Sequence, residues 1–499
     1  MTAPSASIAP APAAPPGAAR RPRRRPSRLV PDVEVLALRA RALLQALQAQ
    51  PLSAWCTLAY VMFEYVRPQQ IYEWMAVLPW GNLTLSGAVL FTVLEGRYKG
   101  IPHLIPGVLG GFTAIVLASS VMAYQPATSF GALDLLGQWL LVIFVLGGMG
   151  ETRLRLVLLF SGFLLWNLKM SQSAVRSWAS DGFAFRDWGM SGAPGWFDNS
   201  GEFGIAMCVF FPMVVYFLIG LWPRLSPWKR AALGAVAVSA VIGMVGSSSR
   251  GALLGGGAVA AWAVLRSRHR VRVGVAMGLL AALAWGLLPE ASLERWRGAG
   301  SDETSTKRLT YWRHGIEIAR EHPVLGVGYK NWMPYYAAYY NPKGQLPHNI
   351  FIEALGELGY LGLAGFVALI VATFVQNART RRLTGPDARA PDRFVHAMAY
   401  GLDGALVGYL TSGFFVTVLF YPYFWFNLGF TLALARYAVV RQEPPVDAPS
   451  AAALAPVPPP PAPGARGLLR GAPVAVPGAD GRRARPQRPG QRGGLAAPR

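Results

Sequence analysis

A chain of 499 residues with 53% hydrophobic and 14% charged side chains, and a mean hydropathy of +0.32, is too apolar for a soluble globular protein. Its formal net charge of +22 would point to nucleic acid in a soluble chain, but the arginines gather at the two ends and in short segments between apolar runs, as membrane orientation requires. The two cysteines, Cys56 and Cys208, both fall inside apolar runs, which excludes a disulfide framework and a thiolate metal cluster.

Residues 1–50 begin Pro/Ala-rich, turn basic at Arg20-Arg21-Pro22-Arg23-Arg24-Arg25, and allow one short amphipathic helix from Asp32 to Gln48. They lack the apolar core and cleavage site of a signal peptide, so the expectation is a disordered cytoplasmic tail, with the first span retained as an anchor. Apolar runs near the ~20 residues that cross a bilayer then follow at 52–66, 77–95, 103–123, 131–148, 154–170, 203–222, 231–246, 250–265, 271–288, 350–376, 397–419 and 422–440. The expected fold is therefore an all-α polytopic membrane protein with about twelve transmembrane helices. Nine lie in 51–288, a large outer loop carrying short helices fills 289–349, and three lie in 350–441. A Pro/Arg-rich tail, 442–499, contains Pro458-Pro459-Pro460-Pro461 and is too poor in apolar surface to fold, so it is expected to be disordered and cytoplasmic.

Counting from a cytoplasmic start, every inner loop is basic: Arg97/Lys99, Arg153/Arg155, Arg224/Lys229/Arg230, Arg266/Arg268/Arg270/Arg272 and Arg379/Arg381/Arg382. The outer loops are mixed or uncharged, and they include a medium loop at 171–202 and the large one at 289–349.

Candidate chemistry lies on that outer side. Gly246-Ser247-Ser248-Ser249-Arg250-Gly251 joins two spans, and a planar guanidinium at a membrane border is suited to bidentate phosphate binding. The same turn also reads as small residues that let helices pack closely, with Arg250 as an interface anchor. In the large loop, Arg308, Trp312 and Ile316 are four apart, on one face of a helix able to lie along the membrane surface. The aromatic cluster Trp332, Tyr335, Tyr336, Tyr339 and Tyr340 suits stacking on sugars or an interfacial belt. Pro347-His348-Asn349 then opens the next apolar helix. The positive end of that helix lowers the proton affinity of His348, leaving a neutral general base or, alternatively, a histidine that only hydrogen-bonds the loop. His103, His269, His314, His322 and His396 are weaker candidates. No histidine pair, outer Asp-x-Asp, or nucleotide-binding glycine motif appears, so no metal or cofactor is expected.

Ser249-Arg250-Gly251, Arg308, Tyr311-Trp312, Pro323, Gly326-Val327-Gly328, Pro347-His348-Asn349, Glu353 and Gly359, in this order, resemble the core of the O-antigen ligase and polymerase superfamily over about residues 198–366. One departure is that Gly359 is followed by Tyr360 where the ligase form has leucine, which leaves ligase and polymerase both open. The resemblance implies inverting, metal-independent transfer of a glycan from undecaprenyl diphosphate to an acceptor hydroxyl at the periplasmic face of the bacterial inner membrane. The acceptor would be lipid A-core, or another glycan or protein; a polymerase would use a second lipid-linked glycan. It implies catalytic roles for His348 and Arg250, and substrate contacts from Arg308, Arg313, Tyr311, Trp312 and Asn349, with Arg176 and Arg186 of the medium loop as further phosphate ligands. A transporter or lipid flippase is the rival of another class, but transporters place polar groups near the midplane of repeated halves, and these groups crowd the outer border. The segment Glu64-Tyr65-Val66-Arg67-Pro68-Gln69 has no role in this scheme.

Overall fold

The structure, a computed structural model, describes residues 32–185, 189–288, 290–298 and 303–442. No strand occurs among them, and every predicted span coincides with a helix. The first nine are α1 Leu52–Tyr65, α2 Trp80–Leu94, α3 Leu104–Val121, α4 Leu133–Gly148, α5 Arg153–Ser180, α6 Ser200–Leu221, α7 Pro227–Gly246, α8 Arg250–Arg266 and α9 Arg270–Gly286. The large loop carries α10 Glu303–Glu321 and α11 Trp332–Tyr339, and α12 Ile350–Thr384, α13 Arg393–Gly413 and α14 Pro422–Val440 complete the bundle. Among the described residues six helices are long and apolar enough to cross a membrane: α3, α4 with the short helix before it (Pro126–Gly148), α5, α6 with its following turn (Ser200–Arg224), α7 and α12. Helices α1, α2, α8 and α9 are shorter, at 14 to 17 residues, and α13 and α14 enclose Asp403 and Arg436. The fold is that of a multi-pass all-α membrane protein, in which each span satisfies its own backbone.

Helix α6 packs against α13, and α14 lies against α4 with nearly all its side chains buried. Charge inside the bundle is paired: Arg381 of α12 binds Asp403 of α13, and Asn377 donates to the same carboxylate at 2.8 Å. Helix starts are capped where the sequence offers a short polar side chain. Thr152 accepts from Arg155 N, Asn199 from Gly201 N, and Asp392 from Phe394 N and Val395 N.

Four boundaries differ from expectation, one of them the end of α12, which continues eight residues past the predicted 376 to Thr384. Helix α5 continues ten residues past the predicted 170, so the medium loop starts at 181 and Arg176 is helical. Its polar extension is held in the bundle by Ser171, which accepts from Ser239 of α7 at 2.9 Å. The span predicted to end at 419 stops at Gly413, and 414–421 forms an irregular segment over the bundle end. Finally, part of the expected tail is folded: helices Asp32–Leu36 and Ala40–Gln48 are broken at Leu38 (φ +51°), where Lys229 Nζ donates to the carbonyls of Ala37 at 2.7 Å and Leu38 at 3.0 Å. The rest of both expected tails lies outside the described residues.

Candidate active site

Helix α10 assembles the site. Ser305, Arg308, Trp312, Gly315 and Ala319 recur every three or four residues and form one stripe. Ile316, expected on that face, is 39% exposed, because Gly315 holds the inward position. A Cβ at Gly315 would lie 2.4 Å from Ile352 Cγ2, so only glycine lets α10 approach α12 this closely.

Successive residues of the stripe meet the Arg250 turn, the Pro347-His348 motif and the 414–415 segment. Arg250 Nη2 donates to Ser305 Oγ at 3.4 Å. One turn later the charge of Arg308 acts on His348. One turn beyond that, Trp312 Nε1 donates to the Pro347 carbonyl at 3.0 Å, with its ring edge-on to Phe414 at 5.1 Å. Three segments far apart in sequence are thereby gathered along one helix.

Arg250 is half-buried at the first position of α8, where Ser249 caps the helix through Ala252 N at 3.3 Å. His348 sits just before α12 in the left-handed region (φ +50°), and its backbone N–H donates to Thr417 Oγ1 at 2.8 Å. Its imidazole is pushed below the ordinary histidine value, first by burial and then by the nearby Arg308 cation. The lowering has the direction expected for a histidine at a helix start. Asn349 caps α12, its Oδ1 accepting from Phe351 N at 2.8 Å and Ile352 N at 3.2 Å, which fixes the backbone one residue from His348.

The other candidates are dispersed. Tyr311 packs edge-on against Tyr336 at 5.8 Å. Arg313 and Arg176 are exposed, and Arg186 lies outside the described residues. Trp332, Tyr335 and Tyr336 are buried with Ile318 and Val327 as the loop's own core, so their faces are occupied by protein; Tyr339 is 62% exposed.

The glycine motif has a structural explanation. Helix α12 breaks at Gly359 (φ +67°, ψ −168°), and each backbone group freed there finds a partner in the loop. Tyr360 N donates to Pro323 O at 2.8 Å, while the carbonyls of Gly356 and Glu357 accept from Val327 N at 3.0 Å and Gly328 N at 2.9 Å. A side chain at Gly359 would lie 2.5 Å from Val324 O.

Two clusters escaped the sequence reading. Lys330 donates its backbone N–H to Glu357 Oε2 at 3.0 Å and holds Nζ 3.6 Å from Glu353 Oε1, while Leu419 N reaches Glu353 Oε2 at 3.3 Å. Two glutamates four apart in an apolar helix demand a cation, and that was the available signal. The second cluster gives the Glu64–Gln69 segment its place. Arg67 lies 3.4 Å from Glu64 Oε1 and over the Trp196 ring at 5.1 Å; Trp196 Nε1 also donates to Glu64 and its ring meets Tyr421 at 4.9 Å. Tyr421 donates to Glu202 Oε1 at 2.9 Å, and a side chain at the adjoining Gly201 would be 3.9 Å from Ser249 Oγ. This cluster runs into the Arg250 turn.

An apolar cavity of about 550 Å³ lies between α7, α8 and α9. Leu253 and Leu254, one turn on from Arg250, line it together with Met244, Leu280 and Trp285. Among the described residues no three His, Cys, Asp or Glu side chains come together in a way that could hold a metal ion.

Residues 235–367 match the family model described as O-antigen ligase. The chain is also 33% identical over 108 residues to the exopolysaccharide production protein ExoQ of Rhizobium meliloti (strain 1021), a match covering 19% of this chain and 24% of that protein. Both similarities are to the O-antigen ligase superfamily, and the family model is matched by about a quarter of the chain. Arg250, the α10 stripe, the glycine motif and His348 all lie inside the span matched to the O-antigen ligase model, whereas Arg67, Trp196, Glu202 and Thr417 lie outside it. The O-antigen ligase domain thus holds the gathered motifs, and its surroundings supply the neighbours that orient them.

Proposed function

We propose that the protein transfers a glycan from undecaprenyl diphosphate to an acceptor hydroxyl at the periplasmic face of the inner membrane. His348 takes the acceptor's proton, the acceptor oxygen bonds to the anomeric carbon with inversion, and the bond from that carbon to the diphosphate oxygen breaks. The leaving diphosphate is stabilised by Arg250 and Arg308, so that no metal ion is required. The observation that carries this reading is the α10 stripe, which places one arginine near a neutral histidine and brings a second to the same helix one turn away. The cavity below Arg250 supports it further, since a polyprenyl chain needs apolar walls next to the diphosphate site.

The test is transfer by the purified full-length chain, given a lipid-linked glycan. Arg250→Lys should be nearly as inactive as Arg250→Ala, both remaining in the membrane, because an ammonium cannot reproduce a planar two-pronged contact with phosphate. Wild-type-like transfer by the lysine variant would reduce Arg250 to a generic charge and sink the clamp.

A second reading is chain extension, with another lipid-linked glycan as acceptor. The match to an exopolysaccharide production protein and the Gly359-Tyr360 departure favour it. It predicts a ladder of products that all remain on lipid diphosphate, where ligation yields one product on an acceptor lacking it.

A further inference from the structure

At the end of the bundle opposite Arg250 lies a cavity of about 860 Å³ between α6, α8, α9, α12 and α13. Arg266, Arg268, Arg272 and Arg393 line its mouth, and no carboxylate lines it among the described residues. Asp403, a buried acid that feels the Arg266 charge, is committed to Arg381 and Asn377. Arg266 lies over the rings of Trp262 at 5.2 Å and Tyr400 at 5.4 Å, and Arg393 Nε donates to the Ile219 carbonyl at 3.1 Å, so these two are set in place by the bundle. Arg268, two residues before α9, and Arg272, in its first turn, are exposed, as are Arg266 and Arg393. Deeper in, the walls turn apolar through Phe211, Val215 and Met277.

A soluble anion would need the arginines but not the apolar wall, and an apolar chain would need the wall but not the arginines. We propose that this cavity is a binding site for an anionic phospholipid of the near leaflet, its phosphate held by the arginines at the mouth and its acyl chains against the apolar wall. The volume accommodates a glycerophosphate headgroup and the first carbons of its chains. Basic loops also fix membrane orientation without binding anything, and that alternative makes a different prediction: every cation at this end would count equally.

The experiment titrates delipidated full-length protein in detergent with phosphatidylglycerol, phosphatidylcholine or glycerol phosphate, reading binding by native mass spectrometry and by the shift in thermal unfolding. Phosphatidylglycerol should bind and raise the unfolding temperature, and the other two should do neither. The double variant Arg268→Gln/Arg272→Gln, confined to exposed positions, should weaken phosphatidylglycerol by about tenfold or more, since each cation near the headgroup is worth roughly fivefold in affinity. The matched double variant Arg379→Gln/Arg382→Gln removes the same charge from exposed positions at the same end that do not line the cavity, and should leave the affinity within about twofold. Equal losses in the two double variants would show diffuse attraction and overturn the site. Equal binding of phosphatidylcholine would remove the role of the phosphate charge, and equal stabilisation by glycerol phosphate would replace the lipid by a soluble anion; either result also overturns it.

Discussion

A histidine whose proton affinity is lowered by burial and by a neighbouring cation is a weaker base than one in water, yet it is in its neutral form over a wider pH range. For His348 this trade suits a group that must accept a proton while a guanidinium stands beside it. If it acts on the acceptor hydroxyl, the single-turnover rate should rise with pH through an apparent pKa below the ordinary ~6.5, because only the form present above that pKa can take the proton. Arg308→Gln removes one of the two lowering causes, so the inflection should move up towards the ordinary value while burial still holds it down. His348→Gln keeps a hydrogen bond but cannot be protonated, and should lose roughly 10²-fold or more. A glutamine variant with most of the rate and an unchanged profile would make His348 an orienting residue. The position of His348 at the start of a helix was legible in the sequence. Its environment was not: Thr417, which fixes the His348 backbone, is 69 residues away in the chain, and nothing in the run 416–421 marks it as a partner.

Among the elements, the break in α12 decides whether the loop and the bundle act as one body. Gly359 stands where a helix must change direction, and the groups released there bind the segment from Pro323 to Gly328. Replacing it by alanine imposes about 1–3 kcal/mol for a backbone region that is essentially glycine-only, and the new methyl would also press on the Val324 carbonyl. Gly359→Ala should therefore lower the unfolding temperature and depress transfer, whereas Gly110→Ala, in α3 with nothing within 4 Å of the added carbon, should be neutral or slightly stabilising. Equal behaviour of the two variants in unfolding and transfer assays would remove the break from the account. The helices themselves were readable because apolar length is a local property, and the starts and ends fell within a few residues of the expected runs. The end of α5 is an exception with a polar cause: Ser171 and Arg176 made it look like loop, although Ser171 bonds across to α7. The inward place of Gly315 was hidden for another reason, since a glycine carries no hydrophobic signal and its role appears only when Ile352 is opposite it.

For the molecule as a whole, the arginines and the candidate site occupy opposite ends of the same helices. Helix α8 shows this most directly: Arg250 at its start meets Ser305 of the large loop, and Arg266 at its end lines the basic cavity. Short basic loops remain on the cytoplasmic side, so the Arg250 end should face outward. That orientation is testable with single cysteines at two exposed positions, Lys343→Cys in the large loop and His269→Cys between α8 and α9, in a background where Cys56 and Cys208 are replaced. A membrane-impermeant maleimide added to intact spheroplasts should label Cys at 343 and reach Cys at 269 only after permeabilisation. The reverse pattern would turn the arginine-rich loops outward and put His348 in the cytoplasm, where transfer at the periplasmic face is impossible, and the proposed reaction would fail with the orientation. Labelling of both positions from outside would mean that an even number of segments between them cross the bilayer, which would remove α9 from the set of spans.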